Sequence, residues 1–162
     1  RTDHYTASGS DEVEFLISTN PGSIPPRPLG EVASGGELSR IMLAIKSCMA
    51  SEDNIGTLVF DEIDVGISGR AAQKVAEKMA VISRSHQVIS ITHLPQIAAM
   101  ADSHYLIEKS ADEGKTVTRI VRLNDEESTE EIARLLGGVT ITEAVMSNAR
   151  EMKQMAEKTK KY

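Results

Sequence analysis

Two short apolar runs, "TLVF" (Thr57–Phe60) and "QVISIT" (Gln87–Thr92), bracket a stretch whose apolar residues recur at helical spacing. Between them Ala72, Val75, Ala76, Met79 and Ile82 fall on one face of a helix that Ser68 opens. Two wholly apolar strands joined through a helix predict parallel neighbours, a right-handed crossover and cover on both faces of the sheet. The rest of the chain fits around this unit. "EVEFLIS" (12–18) reads as a strand, and the Pro- and Gly-rich "TNPGSIPPRPLGE" after it as a loop. A helix is expected from about Gly35 to Ala50, ending in the polar "SEDN", with Leu38, Ile41, Met42 and Ile45 as its apolar face. "PQIAAMA" predicts a short helix, and "SHYLIEKS" and "TVTRIVRL" the two arms of a hairpin turning at "ADEGK". Ser128 with Glu131, and Thr140 with Glu143, have the spacing of capping boxes for two final helices, one ending near Gly137 and one near the C-terminus. The expected fold is therefore α/β: a mainly parallel sheet flanked by helices, with a terminal β-hairpin and C-terminal helices.

A chain of 162 residues, 40% hydrophobic and 26% charged, is enough for one ordinary domain with a real core. No run reaches the length of a membrane span, and "RTDHYTASGS" lacks the apolar centre of a signal peptide, so an intracellular protein without a membrane partner is expected. The single cysteine, Cys48, lies in an apolar-periodic helix and reads as a buried small hydrophobe. A net charge of -6 argues against a surface that coats itself in nucleic acid, so any DNA contact is local or lies elsewhere. With no Trp, 2 Phe and 3 Tyr, platforms for base stacking are not expected either.

The chemistry concentrates at three places. At Ser34-Gly35-Gly36-Glu37 a serine can cap a helix and Glu37 completes the box, but the two glycines remain unexplained, since almost any residue is accepted at the first helical positions. A helix start without side chains exposes free N–H groups and the positive end of the dipole to an anion, phosphate above all. The plain helix start and the anion cradle stand side by side on this stretch alone. Ligands of open α/β sheets bind beyond the carboxyl ends of the strands. There "TLVF" is followed by Asp61 and Glu62, and "QVISIT" by His93. Two carboxylates leaving a buried strand call for a cation or a proton, and an Asp at such a strand end suits Mg²⁺ beside nucleotide phosphates, with the adjacent Glu able to polarise a water.

In this order, Ser34 to Glu37, "TLVFDE" (57–62), "IDVGISG" (63–69) and "ITHLPQIAAMAD" (91–102) resemble the signature motif, Walker B, D-loop and switch histidine of an ABC-type ATPase head, a P-loop NTPase of RecA-like architecture. The wording "EVASGGELSRIMLAIKS" and "THLPQIAAMAD" is similar to the RecN family of SMC-like proteins in bacterial DNA double-strand break repair. The resemblance implies an Mg²⁺-dependent ATPase working in DNA repair and recombination in the cytoplasm, on the nucleoid. It implies that Ser34, Gly35, Gly36 and Glu37 meet the γ-phosphate of ATP held by a second head of a homodimer. It further implies that Asp61 positions Mg²⁺ through water, Glu62 is the base for the attacking water, Asp64 lies in the D-loop at the dimer interface, and His93 senses the γ-phosphate.

A Gly-rich phosphate loop ending in Gly-Lys-Ser/Thr is missing from the pattern. Gly114-Lys115-Thr116 is a decoy, with Lys109 where the motif needs its first glycine and a hairpin turn where it needs a strand and a helix. In the families resembled, that loop sits on an N-terminal lobe beyond a long coiled coil. The resemblance thus makes residues 12–162 the C-terminal lobe alone and 1–11 a disordered or coiled-coil-proximal lead-in, dependent on the N-terminal lobe for nucleotide, inactive by itself, and reaching DNA through the full-length protein. Alternatives are the nucleotide-binding domain of another ABC ATPase, where Gln is usual at the position of Glu37, and a docking module without catalysis. A metal-dependent hydrolase built from Asp61, Glu62 and one of His86, His93 or His104 has little behind it, because no two histidines have ligand spacing on one helix.

Overall fold

The computed structural model describes residues 5, 7, 9–18, 22, 24–32, 34–49, 55–112 and 115–161. They divide into two compact units, Arg1–Ser34 and Gly35–Tyr162. In the first, β1 (Leu16–Ile17) pairs antiparallel with β2 (Arg27–Pro28), Leu16 opposite Pro28, and one helical turn, α1 (Leu29–Val32), follows. The Leu29 N–H donates to the Phe15 carbonyl at 2.9 Å. The strand expected over 12–18 is thus cut to two residues. Its partner segment carries Pro25, Pro26 and Pro28, which have no N–H to give to a ladder. Of the expected lead-in, residues 1–4, 6 and 8 lie outside the described residues.

The second unit begins with α2 (Gly35–Met49); Ala50 and the polar segment after it lie outside the described residues. Next come β3 (Thr57–Phe60), α3 (Gly69–Ile82) and β4 (Gln87–Ser90), with β3 and β4 parallel and Phe60 opposite Ser90. This is the βαβ unit read from the apolar runs. The helical period on α3 places Ala72, Ala76, Met79 and Ile82 inside, and the last three join Leu43 of α2 and Leu58 and Phe60 of β3 in one core. Ile63 and Ile82 are completely enclosed there, each contributing about 1.5–3 kcal/mol of burial.

The sheet is covered on one face only among the described residues. Leu58 and Phe60 point inward, but Val59 is 65% exposed, as are half the surfaces of Ile89 and Ile91 on the same side. An apolar parallel strand normally has both faces buried. The apolar stripe of α2 shows the same thing. Its inward face runs through Gly36, Arg40, Leu43 and Ser47, whereas Leu38, Met42 and Ile45 are exposed. Cys48, expected inside, is exposed because it follows that outer stripe.

A short turn, α4 (Pro95–Ala98), leads to the hairpin of β5 (Tyr105–Asp112) and β6 (Lys115–Arg122), in register from Tyr105 opposite Arg122 to Asp112 opposite Lys115. Lys115 opens β6 and Gly114 lies outside the described residues, so Lys115 and Thr116 of the decoy sit in a hairpin arm. The last helices, α5 (Asp125–Gly137) and α6 (Glu143–Lys160), close over a second core of Ala98, Ala99, Ile132, Ala133 and Ala149. Both caps differ from expectation. The capping box of α5 is Asn124 with Glu127, whose backbone and side-chain bonds measure 2.8 to 3.0 Å. Ser128, one turn further on, is buried and stands 3.0 Å from Nδ1 of His104. On α6 the cap is Thr142 and not Thr140, because Thr142 reaches the Val145 N–H. Lys160 ties the end of α6 to Asp102 at 2.9 Å. No helix among the described residues is long and apolar enough to cross a membrane.

Candidate functional site

Where β3 ends, the chain makes a tight turn that α2 grips from the side. The Asp61 Oδ1 accepts the Glu62 N–H at 2.9 Å, which leaves the rest of an exposed carboxylate open. Glu62 has φ 57, and among the described residues no other non-glycine has positive φ. A glutamate held in this left-handed region carries about 1–3 kcal/mol of strain, of the kind that gathers at functional turns. The turn is held by its neighbours. Val65 N–H closes onto the Glu62 carbonyl at 3.1 Å, and Ile63 is locked in the core. From α2, Ser39 Oγ donates to the Asp61 carbonyl at 2.7 Å, and Arg40 Nη1 donates to the Ile63 and Val65 carbonyls at 3.2 and 2.8 Å.

This contact explains the glycine pair within the chain. A Cβ on Gly36 would stand 2.8 Å from the Glu62 carbonyl oxygen and 3.0 Å from that of Val65. A Cβ on Gly35 would collide with Oε2 of Glu62. The first turn of α2 must therefore be bare for the strand end to lie against it, and the Glu62 carboxylate rests at the positive end of that helix. Glu37 follows, half-buried, in the same turn. Ser34 precedes the helix as the exposed last residue of the first unit.

His93 follows β4, and Asp64 binds it. Asp64 is 3% exposed, and its Oδ2 accepts the Thr92 hydroxyl at 2.7 Å and the His93 N–H at 2.8 Å, with His93 Nδ1 at 3.0 Å. The Asp64 side chain thus points inward, while the ring of His93 is 70% exposed. The structure brings Gly35 and Gly36 against Glu62, whose N–H is accepted by Asp61, and pairs Asp64 with His93. Ser39, Arg40 and Thr92 are additional members that the motifs do not name. Arg40 was findable, because it lies four residues after Gly36 and so shares its face.

The other histidines go elsewhere. His86 is buried with Nδ1 2.8 Å from Ser85 Oγ, and His104 sits with Ser128. Burial holds the pKa of His104 below its ordinary value, against an opposing pull from Glu131. Among the described residues no three His, Cys, Asp or Glu side chains form a metal cage. A lone carboxylate does fit Mg²⁺, which keeps most of its waters and is bound by one or two carboxylates together with substrate phosphates.

No family model matches the chain. It is 48% identical over 156 residues to the DNA repair protein RecN of Halalkalibacterium halodurans, and 48% identical over 155 residues to that of Bacillus subtilis, 96% of this chain in each case. The RecN of Treponema pallidum is 48% identical over 144 residues, or 89% of the chain. The chain is homologous to RecN. It spans about a quarter of these relatives, 27%, 27% and 25% of their lengths. The match to RecN is long enough to include the start of α2, the Asp61–Glu62 strand end and His93. A solved structure from work on the ATP-driven dimerization and DNA stimulated activation of SMC ATPases is 26% identical, with a TM-score of 0.49 over 77% of this chain and 81% of that one.

Proposed function

We propose that this chain is the C-terminal lobe of an ABC-type ATPase head in a RecN-like, SMC-family protein of DNA double-strand break repair. The observation that carries the reading is the 48% identity to RecN over 96% of the chain. Residues 12–162 form the lobe and 1–11 lead in from the preceding segment. The open apolar face of Val59, Ile89 and Ile91 supports a further lobe of the same protein as its cover. That lobe brings the phosphate loop, so the chain alone does not hydrolyse ATP. The complete protein works in the cytoplasm on the nucleoid and reaches DNA through parts beyond this lobe.

In this mechanism each residue has one task. Asp61 would hold Mg²⁺ through water, and the ion would supply neutralisation of the negative charge that develops on the phosphate. Glu62 takes the proton of the attacking water. His93 faces the terminal phosphate with the nitrogen that Asp64 leaves open. Ser34, Gly35, Gly36 and Glu37 offer the start of α2 to the γ-phosphate of ATP on a second head, closing a homodimer around the nucleotide.

The test separates Glu62 from Asp61. In the full-length protein Glu62→Gln keeps shape and hydrogen bonding but removes the proton acceptor. With ATP and Mg²⁺ it should run as a stable dimer on size exclusion, with phosphate release down by roughly two to four orders of magnitude. Asp61→Asn should instead raise the Mg²⁺ concentration needed for dimerisation. A monomeric Glu62→Gln protein, or one that still releases phosphate at the wild-type rate, overturns the assignment and favours a docking module.

A further inference from the structure

The geometry points to Asp64 as the positioning residue of His93: it fixes the imidazole with Nδ1 protonated and turns Nε2 outward. The inference rests on the ATPase reading above for its consequence, but on this structure alone for its content. Asp64 lies three residues past Asp61 in a turn whose other carboxylates are exposed, yet its own side chain is enclosed. A carboxylate leaves water only where donors replace the lost hydrogen bonds. Its Oδ2 has three: the Thr92 hydroxyl, the His93 backbone N–H and the His93 ring at Nδ1. The first two fix the backbone of the β4 exit relative to the turn after β3. Thr92 Oγ1 is held in turn, accepting the Leu94 N–H at 3.0 Å.

The third contact decides the chemistry of the ring. A carboxylate oxygen is an acceptor only, so a ring nitrogen 3.0 Å from it carries the hydrogen. The proton on Nδ1 then leaves Nε2 as the outward nitrogen of a ring that is otherwise mostly in solvent. An exposed histidine without such a partner samples several rotamers and both tautomers. Asp64 removes that freedom and delivers Nε2 in one place, the arrangement by which a buried carboxylate orients an imidazole in hydrolytic triads. The charge of Asp64 is thus spent on orienting His93, while the bonds from the Thr92 hydroxyl and the His93 N–H anchor the two loops.

The substitution that tests this is Asp64→Asn. All three donors share Oδ2, and asparagine offers there either a neutral oxygen, a weaker acceptor for Nδ1–H, or an N–H₂ that donates to a bare Nδ1, so in both cases the ring is released toward the other tautomer. Histidine-selective ¹⁵N NMR reads the tautomer without any activity. The His93 resonance should show Nδ1–H in wild type and a shift toward Nε2–H in Asp64→Asn, with the thermal midpoint recording folding in both. In the full-length protein Asp64→Asn should lower kcat for ATP hydrolysis by about a hundredfold with KM for ATP little changed. The loss should vanish in a His93→Ala background, because Asp64 then has nothing to orient. Equal losses in both backgrounds, or an unchanged tautomer in Asp64→Asn, overturn the inference. Wild-type protein that fails to hydrolyse ATP would defeat the ATPase reading and leave the NMR result to decide the role of Asp64.

Discussion

Substituting the two glycines of α2 one at a time exposes the difference between a backbone wall and a flexible side chain. In Gly36→Ala the new Cβ falls 2.8 Å from one carbonyl oxygen and 3.0 Å from another, and both carbonyls are pinned by the turn that holds Glu62. Neither can swing aside, so the overlap costs about 1–3 kcal/mol, as forced packing usually does. Alanine returns up to about 1 kcal/mol of helix propensity and lost unfolded-state entropy. The net effect is a loss of roughly 0–3 kcal/mol. In Gly35→Ala the Cβ meets only the far end of Glu62, which can turn away, so the variant should keep most of the alanine gain, about 0.5–1 kcal/mol. Urea denaturation followed by far-UV circular dichroism should then place Gly35→Ala above wild type and Gly36→Ala below it, the two midpoints apart by about 1 M at ordinary m values. Equal midpoints, or Gly36→Ala as the more stable of the two, would refute the claim that the bare helix start exists for the strand end.

Two further outcomes follow from groups outside the site. Because burial keeps the pKa of His104 low, the folded chain takes up its proton less readily than the unfolded chain. Nothing is lost above the ordinary value of 6.5, and stability falls as pH drops below it, so His104→Gln should flatten the fall of the thermal midpoint between pH 7.5 and 5.5; a variant as acid-sensitive as wild type rejects this. Asn124→Ala removes the α5 cap and should cost about 1 kcal/mol, whereas Thr140→Ala should stay within about 0.5 kcal/mol, both read by the same denaturation assay.

The elements legible in the sequence are those where a local pattern and the tertiary structure agree. The β3–α3–β4 unit was readable because apolar runs and a helical period leave little choice, and the hairpin because its arms have matching lengths around a turn. Capping was misread at Ser128 and Thr140 because serine or threonine followed by glutamate three residues on is a common coincidence. Asn124 with Glu127 fits the same rule, and Ser128 is taken up by the buried His104. On α2 the periodicity of Leu38, Met42 and Ile45 marks an apolar stripe but says nothing about what covers it. Asp61, Glu62 and His93 were visible as strand-end chemistry. The inward turn of Asp64 was not, since a residue's neighbours across the fold have no signature in its own segment. The anion reading of Gly35 and Gly36 did not anticipate that the carboxylate of Glu62 and two backbone carbonyls of the same chain already crowd their Cβ positions.

The grip of α2 on the turn after β3 has a mechanical side. Ser39 and Arg40 hold the carbonyls of Asp61, Ile63 and Val65, and Gly36 lies against that of Glu62. Four of the five peptide units from Asp61 to Val65 are thereby held against the first two turns of one helix. A push on that helix end cannot be absorbed between the two, because the bonds are short and the glycine leaves no slack. It arrives at Asp61 and Glu62 as a displacement of the same sign. The helix start and the carboxylates consequently move as one rigid body, rooted in the core through Leu43.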